Sequence, residues 1–458
     1  MSRIDKVNEL IAKRSEEHST ERTRLDKLFD ANSFVEIGAH NLDSGVATGY
    51  GTINGELVYA FSQEGAVNVA HAAKIANLYS LALKMGSPVI GIMDSKGVVM
   101  SDGIDALEAF GIILKNQTEA SGVIPQISIV AGECMGMGTF IPVLSDFVIM
   151  TKANSTMFMQ SPSVMEGMGG KSTTYSDMGG SQHASKTGLA HIVADNEEHA
   201  FELARELIGY LPENNLEMSV SEPTDDLNRI DANLNSFLPE DDVTPIDMGY
   251  LIGSLADNGR FFEIHKEYSP NVIVGFTRFG GMTAGVIANN GKLNTTGVAK
   301  AGEFVNICDA FNIPIVTLTD VAGYERKLSE ELTGIEKYSA KLMFSFANAT
   351  VPKLNIILRN AIGNTYMLMN SKHIGADIVY AWPSACIALM DKKSQTELLG
   401  TSAQEYDELS SPYTVAGKGY IDSLIVPSNT RKRIIVALQM LITKRENKSA
   451  RKHSSIEF

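Results

Sequence analysis

Apolar and polar positions alternate between two periods along this chain. Residues 3–29 read as a charged helix. The stretch "ATGYGTINGELVYAFSQE" (47–64) alternates as two short strands around the Asn54–Gly55 turn. "AHAAKIANLYSLALKMG" (70–86) switches to a helical period that Gly86 stops. A strand ending at Asp94 follows, then a second helix in "IDALEAFGIILKNQTEASG", then the buried-strand pattern of "VIPQISIVAGECMGMG" (123–138).

The texture changes between Pro212 and Asp247, which is acidic, polar and Pro-bearing with little apolar period. We read 226–247 as an inter-domain linker, with one domain over 1–225 and another over 248–458. Beyond it the alternation restarts. "RFGGMTAGVIANN" is strand-like, "AKAGEFVNICDAFN" helical, "IPIVTLTDV" a strand ending at Asp320, and "KYSAKLMFSFANA" helical before "TVPKLNIILRNAIGNTY" (350–366).

The two halves keep register. Pro88 to Asp94 and Pro314 to Asp320 are each six residues; Pro88 to Pro125 is 37 and Pro314 to Pro352 is 38; Pro125 to Gly136 and Pro352 to Gly363 are each 11. Landmarks that hold this spacing across weak residue identity indicate a duplicated domain. Alternating strands and helices predict sheets covered by helices in each half.

Each half places a glycine loop between a strand and a following helix. Main-chain N–H groups there have no acceptor inside the helix and can hold an anion or a developing oxyanion. Gly132, Gly136 and Gly138 are equally readable as turn glycines. Asp94 and Asp320, at strand ends, are expected to cap the helices that follow. No GxGxxG, GxxxxGK[ST], GxSxG or HExxH pattern occurs. A net charge of −15 argues against a nucleic-acid partner. Cys134, Cys308 and Cys386 are widely spaced, which suits free thiols in a reducing compartment and gives no structural zinc site. The N-terminal stretch has no apolar signal segment, and no run long enough to span a membrane occurs; a cytoplasmic protein is expected. With no nucleophile, metal set or acid–base pair in evidence, a chemistry that needs only aligned main-chain dipoles fits: enolate formation on a thioester.

The segments "LFDANSFVEIG", "GYGTINGELVYAFSQ", "CDAFNIPIVTLTDVAG", "MNSKHIGADIVYAWPSA" and "SPYTVAGKGYIDSLIVP" resemble, in order, the carboxyltransferase subunits of biotin-dependent acyl-CoA carboxylases and decarboxylases, nearest the propionyl-CoA carboxylase β type. The resemblance implies an α/β fold of two tandem crotonase/ClpP-like ββα-spiral domains. It implies carboxyl transfer between carboxybiotin and the α-carbon of a short acyl-CoA. Biotin would be borne on a separate carrier protein, the CoA thioester would be the substrate, and no metal would be needed. The biotin anion could take the α-proton itself, which would account for the missing general base.

Carried over by position, the oxyanion donors fall on the N–H groups of Gly136 and Met137 in the first half, with Gly138 on the acyl-CoA side. In the second half they fall on Asn364 and Thr365, with Gly363 and Gly323 on the biotin side. Met137 and Asn364 stand where the family has glycine, and a positive φ would be costly for Met. Implied partners are the biotin carboxyl carrier protein, a biotin carboxylase or membrane decarboxylase subunit, and further copies of the chain, as hexamers whose active sites join the first domain of one subunit to the second of another. Two alternatives stand beside this reading: the decarboxylase α subunit of a biotin-dependent sodium pump, and a non-catalytic scaffold paralogue.

Overall fold

The computed structural model describes residues 2–8, 19–40, 44–168, 174–289, 291–451 and 455–456. The chain divides into two compact units, 1–209 and 210–458. Of the expected N-terminal helix, residues 3–8 and Thr20–Leu28 are helical, while 9–18 lie outside the described residues.

The first unit is built on a nine-stranded sheet. Val35–Ile37, Val46–Ile53 and Glu56–Gln63 form an antiparallel meander. Asn54 (φ +54°) and Gly55 (φ +88°) make the left-handed turn that an Asn-Gly hairpin requires. The sheet then runs parallel through Val89–Val98, Gln126–Met135, Phe147–Thr151 and Ile192–Ala194. Helices Val69–Met85 and Asp105–Ala120 connect the parallel strands. The first is capped by the Asn68 side chain on the His71 N–H and closed by Gly86 in the left-handed region at φ +64°. Its apolar face, with Ile75, Leu78 and Tyr79, joins Phe61, Phe110 and Val130 in one core.

The second unit repeats this plan. Phe262–Ile264, Val272–Phe279 and Met282–Asn289 form the meander; Ile315–Val321, Lys353–Ile362, Ile378–Ala381 and Ser423–Leu424 continue in parallel. The strand-like stretch "RFGGMTAGVIANN" spans the end of one strand and the whole of the next, because Gly280 (φ +61°) and Gly281 (φ +82°) turn the chain between them. Helices Thr295–Ala310 and Ile335–Asn348 occupy the places of the two helices in the first unit. Its own core gathers Leu251, Val286, Leu318, Ile356 and the fully buried Trp382, whose Nε1–H donates to Thr430 Oγ1 at 2.9 Å.

Even the fastenings repeat. Lys74 lies six residues past the capping Asn68, and its Nζ donates to Val46 O at 2.6 Å. Lys300 lies six residues past the capping Asn294, and its Nζ donates to His265 O and Tyr268 O at 2.8 and 2.9 Å. The residues read as a linker, 226–247, lie against the second sheet: Arg359 donates to Asp241 O and Thr244 O at 2.7 and 2.9 Å, and Asn360 Nδ2 to Asp242 O at 3.0 Å.

Candidate active site

In the first unit the strand Gln126–Met135 serves two neighbours in turn. Residues 127–130 pair with Phe147–Thr151, and residues 133–135 with Thr156–Phe158. At its end Gly136 takes φ +56° and turns the chain into a short 3-10 helix, Gly136–Thr139. Thr139 Oγ1 donates to Gly136 O at 2.7 Å and closes the turn. Gly136 and Met137 therefore open a helix, where main-chain N–H groups have no acceptor within it. The Met137 side chain packs on the unit's core, and Gly138 is buried.

The second unit does the same with Lys353–Ile362, which pairs with Ile378–Ala381 and then with Cys386–Ala388. Gly363 takes φ +66° and opens the helix Gly363–Leu368. Thr365 Oγ1 donates to Ile362 O at 2.7 Å. Asn364 is exposed and Thr365 is fully buried. In both loops the left-handed residue is the glycine that ends the strand. Neither Met137 nor Asn364 has a positive φ, so the conformational cost foreseen for Met does not arise. With Gly136 matched to Gly363, Met137 corresponds to Asn364 and Gly138 to Thr365. The two expected donor pairs, Gly136/Met137 and Asn364/Thr365, are thus offset by one residue.

The aspartates at 94 and 320 do not cap helices. Each sits at a break in strand register, between Met93 and Ser95 in the first sheet and between Thr319 and Val321 in the second. Asp94 Oδ1 accepts from the Glu133 N–H at 3.3 Å, and Asp320 Oδ1 accepts from the Asn360 N–H at 2.8 Å. Each carboxylate so fastens the glycine-loop strand just before it turns. Three residues beyond each aspartate is another left-handed glycine, Gly97 at φ +88° and Gly323 at φ +102°. Gly97 was not singled out from the sequence, although its distance from Pro88 equals that of Gly323 from Pro314.

Gly363 and Asn364 form part of the wall of a cavity of about 580 Å³ within the second unit, together with Tyr366, His373, Tyr406 and Lys418. The His373 ring meets Tyr366 edge-on at 6.0 Å and Tyr420 at 4.7 Å. Burial pushes the Tyr366 phenol up to about 12, so it stays protonated throughout the neutral range. Asn364 also borders a second cavity, of about 390 Å³, with Tyr324, Ser339 and Met343. Gly323 is not part of either wall.

Among the described residues no three His, Cys, Asp or Glu side chains are grouped to hold a metal ion, and no helix is long and apolar enough to cross a membrane. Cys134 and Cys308 are buried free thiols, and desolvation pushes Cys134 up to about 12, far from a reactive thiolate.

Residues 12–456 match the family model described as "Carboxyl transferase domain". The chain is 41% identical to the methylmalonyl-CoA decarboxylase subunit alpha of Veillonella parvula, over 95% of this chain and 92% of that protein. It is 38% identical to the propionyl-CoA carboxylase beta chain of Saccharopolyspora erythraea, over 95% and 90%. A solved structure of the transcarboxylase 12S hexamer with methylmalonyl-coenzyme A and methylmalonic acid bound superposes with a TM-score of 0.94 at 33% identity, covering 100% of this chain and 98% of that one. The two repeated units are thus tandem crotonase-like domains, and the chain belongs to the carboxyl transferase domain family, the carboxyltransferases of biotin-dependent carboxylases.

Proposed function

We propose that this carboxyltransferase works on the methylmalonyl-CoA/propionyl-CoA pair, with biotin borne on a separate carrier protein, as a cytoplasmic hexamer. In this reading the N–H groups of Gly136 and Met137 hold the thioester oxygen as it takes on enolate charge, beside Gly138. Those of Asn364 and Thr365 hold the ureido oxygen of the carrier's biotin, with Gly363 and Gly323 shaping that side. When bound, the biotin group supplies the transferable carboxyl. The residues do the rest by position and dipole alone.

The observation that carries the reading is the repeated loop: a glycine at φ +56° or +66° ends the long strand of each unit and opens a short helix, whose first N–H groups have no acceptor within it. The second loop also fits the group it is assigned. Its cavity of about 580 Å³ lies within the range of roughly 300–1,000 Å³ usual for small-molecule sites, and its wall combines the aromatic residues Tyr366, Tyr406 and Tyr420 with the polar Asn364, His373 and Lys418.

Loss of one oxyanion donor costs about 10²–10³-fold in rate in other enzymes. Proline is admitted in the first turn of a helix and removes one N–H. Carboxyl exchange between methylmalonyl-CoA and free biotin, catalysed by the purified protein, should therefore fall about 10²-fold or more in Met137→Pro and in Asn364→Pro, with circular dichroism unchanged. Unchanged exchange in both variants would remove the oxyanion roles.

A second reading concerns direction. The relative at 41% identity is named as a decarboxylase subunit, and in this second reading the same two loops would run the transfer in reverse, with a membrane subunit as partner. Purification of the native assembly decides between them: a biotin carboxylase chain marks the forward reaction, an integral membrane subunit the reverse.

A further inference from the structure

Asn364 has a side chain where the matching position in the first loop presents a methionine turned into the core. Its carboxamide is exposed and borders both cavities of the second unit, about 580 and 390 Å³. A main-chain donor at this position needs no side chain. Nor does the backbone require asparagine, because the positive φ falls on Gly363 instead. The carboxamide combines two donors with an acceptor. A cyclic urea offers the complementary set, N–H donors flanking a carbonyl acceptor. Next along the helix wall stands Tyr366, only 5% exposed, whose hydroxyl has no hydrogen-bond partner among the described residues.

We infer that the side chain of Asn364 is a recognition element for the ring of the carrier's biotin: Oδ1 accepts from a ureido N–H while the main chain of the same loop holds the ureido oxygen. This rests on the assignment of the second loop to biotin and adds a specificity-determining side chain to it. The carboxamide selects the urea from within the larger cavity, and it makes no demand on the acyl-CoA.

The test uses the intact oligomer and biotin amide as the probe, titrated by ligand-observed NMR in the absence of CoA thioester. A neutral hydrogen bond contributes modestly, so Asn364→Gly and Asn364→Ala should each weaken biotin amide by roughly three- to tenfold. The KM for methylmalonyl-CoA in the exchange reaction should stay within about twofold. The glycine variant keeps the loop backbone free and the alanine variant keeps it helical, so a loss shared by both belongs to the carboxamide. Unchanged affinity in both variants overturns the inference, as does a rise in the KM for methylmalonyl-CoA in place of the loss of biotin affinity. Asn364→Pro separates this from the wider reading. If that variant loses exchange while Asn364→Gly binds biotin amide like the parent, the main-chain assignment survives and the side-chain one does not. If Asn364→Pro is fully active, the loop assignment itself has failed.

Discussion

The two units share a backbone plan but satisfy it with different side chains, and the aspartates at the register breaks make the difference plain. In the second unit Asp320 meets Arg359, a residue of the neighbouring strand, with Nη2–Oδ2 at 2.8 Å and both side chains 8% exposed. In the first unit the matching strand position is Gly132, where a Cβ would collide with the Asp94 carboxylate. Asp94 therefore takes its cation from elsewhere: Arg24, on the helix Thr20–Leu28, reaches it at 3.0 Å and reaches Glu197 at 2.7 Å. Duplication has preserved what the backbone needs, a carboxylate that accepts the N–H of the loop strand. It has not preserved how that carboxylate is neutralised. The second unit also uses Arg359 to hold 241–244, which ties its acidic approach segment to the strand carrying the glycine loop.

This asymmetry predicts the largest effect. Removing one partner of a buried pair leaves an uncompensated charge and costs about 3–5 kcal/mol. Arg359→Leu should destabilise by that amount in urea denaturation and free the 241–244 segment to proteolysis. Arg24→Leu should cost clearly less, about 1–2 kcal/mol, because the Asp94 side chain is 31% exposed and water can replace part of the lost attraction. Equal losses would mean that the two aspartates are held alike despite their surroundings.

The chain announces its plan where signals are local. The Asn54–Gly55 hairpin, the helix stopped by Gly86 and the matched proline, aspartate and glycine spacings are all local or periodic, and the structure repeats them in both units. The Gly280–Gly281 hairpin carried an equally local two-glycine signal, but the apolar run on either side reads only as strand-like. Contacts made across distance left no signature. Asp94 and Asp320 look like helix caps because a strand-ending aspartate usually caps; their acceptor role depends on strands about 40 residues further on. The acidic stretch before Asp247 looks like a linker because its fastening is through main-chain carbonyls, which no residue type reveals. The two glycine loops are legible from spacing and the donor residues within them only from the family resemblance, whereas the one-residue offset between the two donor pairs emerges only once Gly136 and Gly363 share a conformation.

That shared conformation gives the next effect. A left-handed backbone costs an ordinary L-residue about 1–2 kcal/mol. Gly136→Ala and Gly363→Ala should each lose about that much stability. Each should lose exchange activity out of proportion to it, because relaxing the strained φ turns away the N–H groups that follow. Gly138→Ala is the control: its φ is not positive, and a Cβ there would meet Cys134 Sγ at an ordinary 3.9 Å. If Gly138→Ala harms stability as much as Gly136→Ala, the pivot has been placed on the wrong residue.

The smallest effect comes from a third matched pair of aspartates. Asp146 Oδ2 accepts from the Gln126 N–H at 2.7 Å, and Asp377 Oδ2 accepts from the Lys353 N–H at 2.8 Å, each bracing the first residue of its loop strand. Asp377 also meets Lys444 at 2.8 Å, while among the described residues no ion pair holds Asp146. Desolvation without a cation pushes the Asp146 carboxyl up to about 7. The folded state therefore binds this proton more tightly than the unfolded chain, whose aspartate titrates near 3.9. Its contribution to stability is complete below pH ~4 and is lost as pH rises through about 7. Asn cannot titrate, but its carbonyl still accepts from Gln126. Asp146→Asn should therefore gain stability relative to the parent as pH rises from 5 to 8, read from urea denaturation. Asp377→Asn should instead lose stability at pH 8, because it strips Lys444 of one of its two carboxylate partners, the other being Glu446 at 3.0 Å. A pH-independent difference for Asp146→Asn would show that the missing cation has no consequence, and that the two units are braced alike at this point as well.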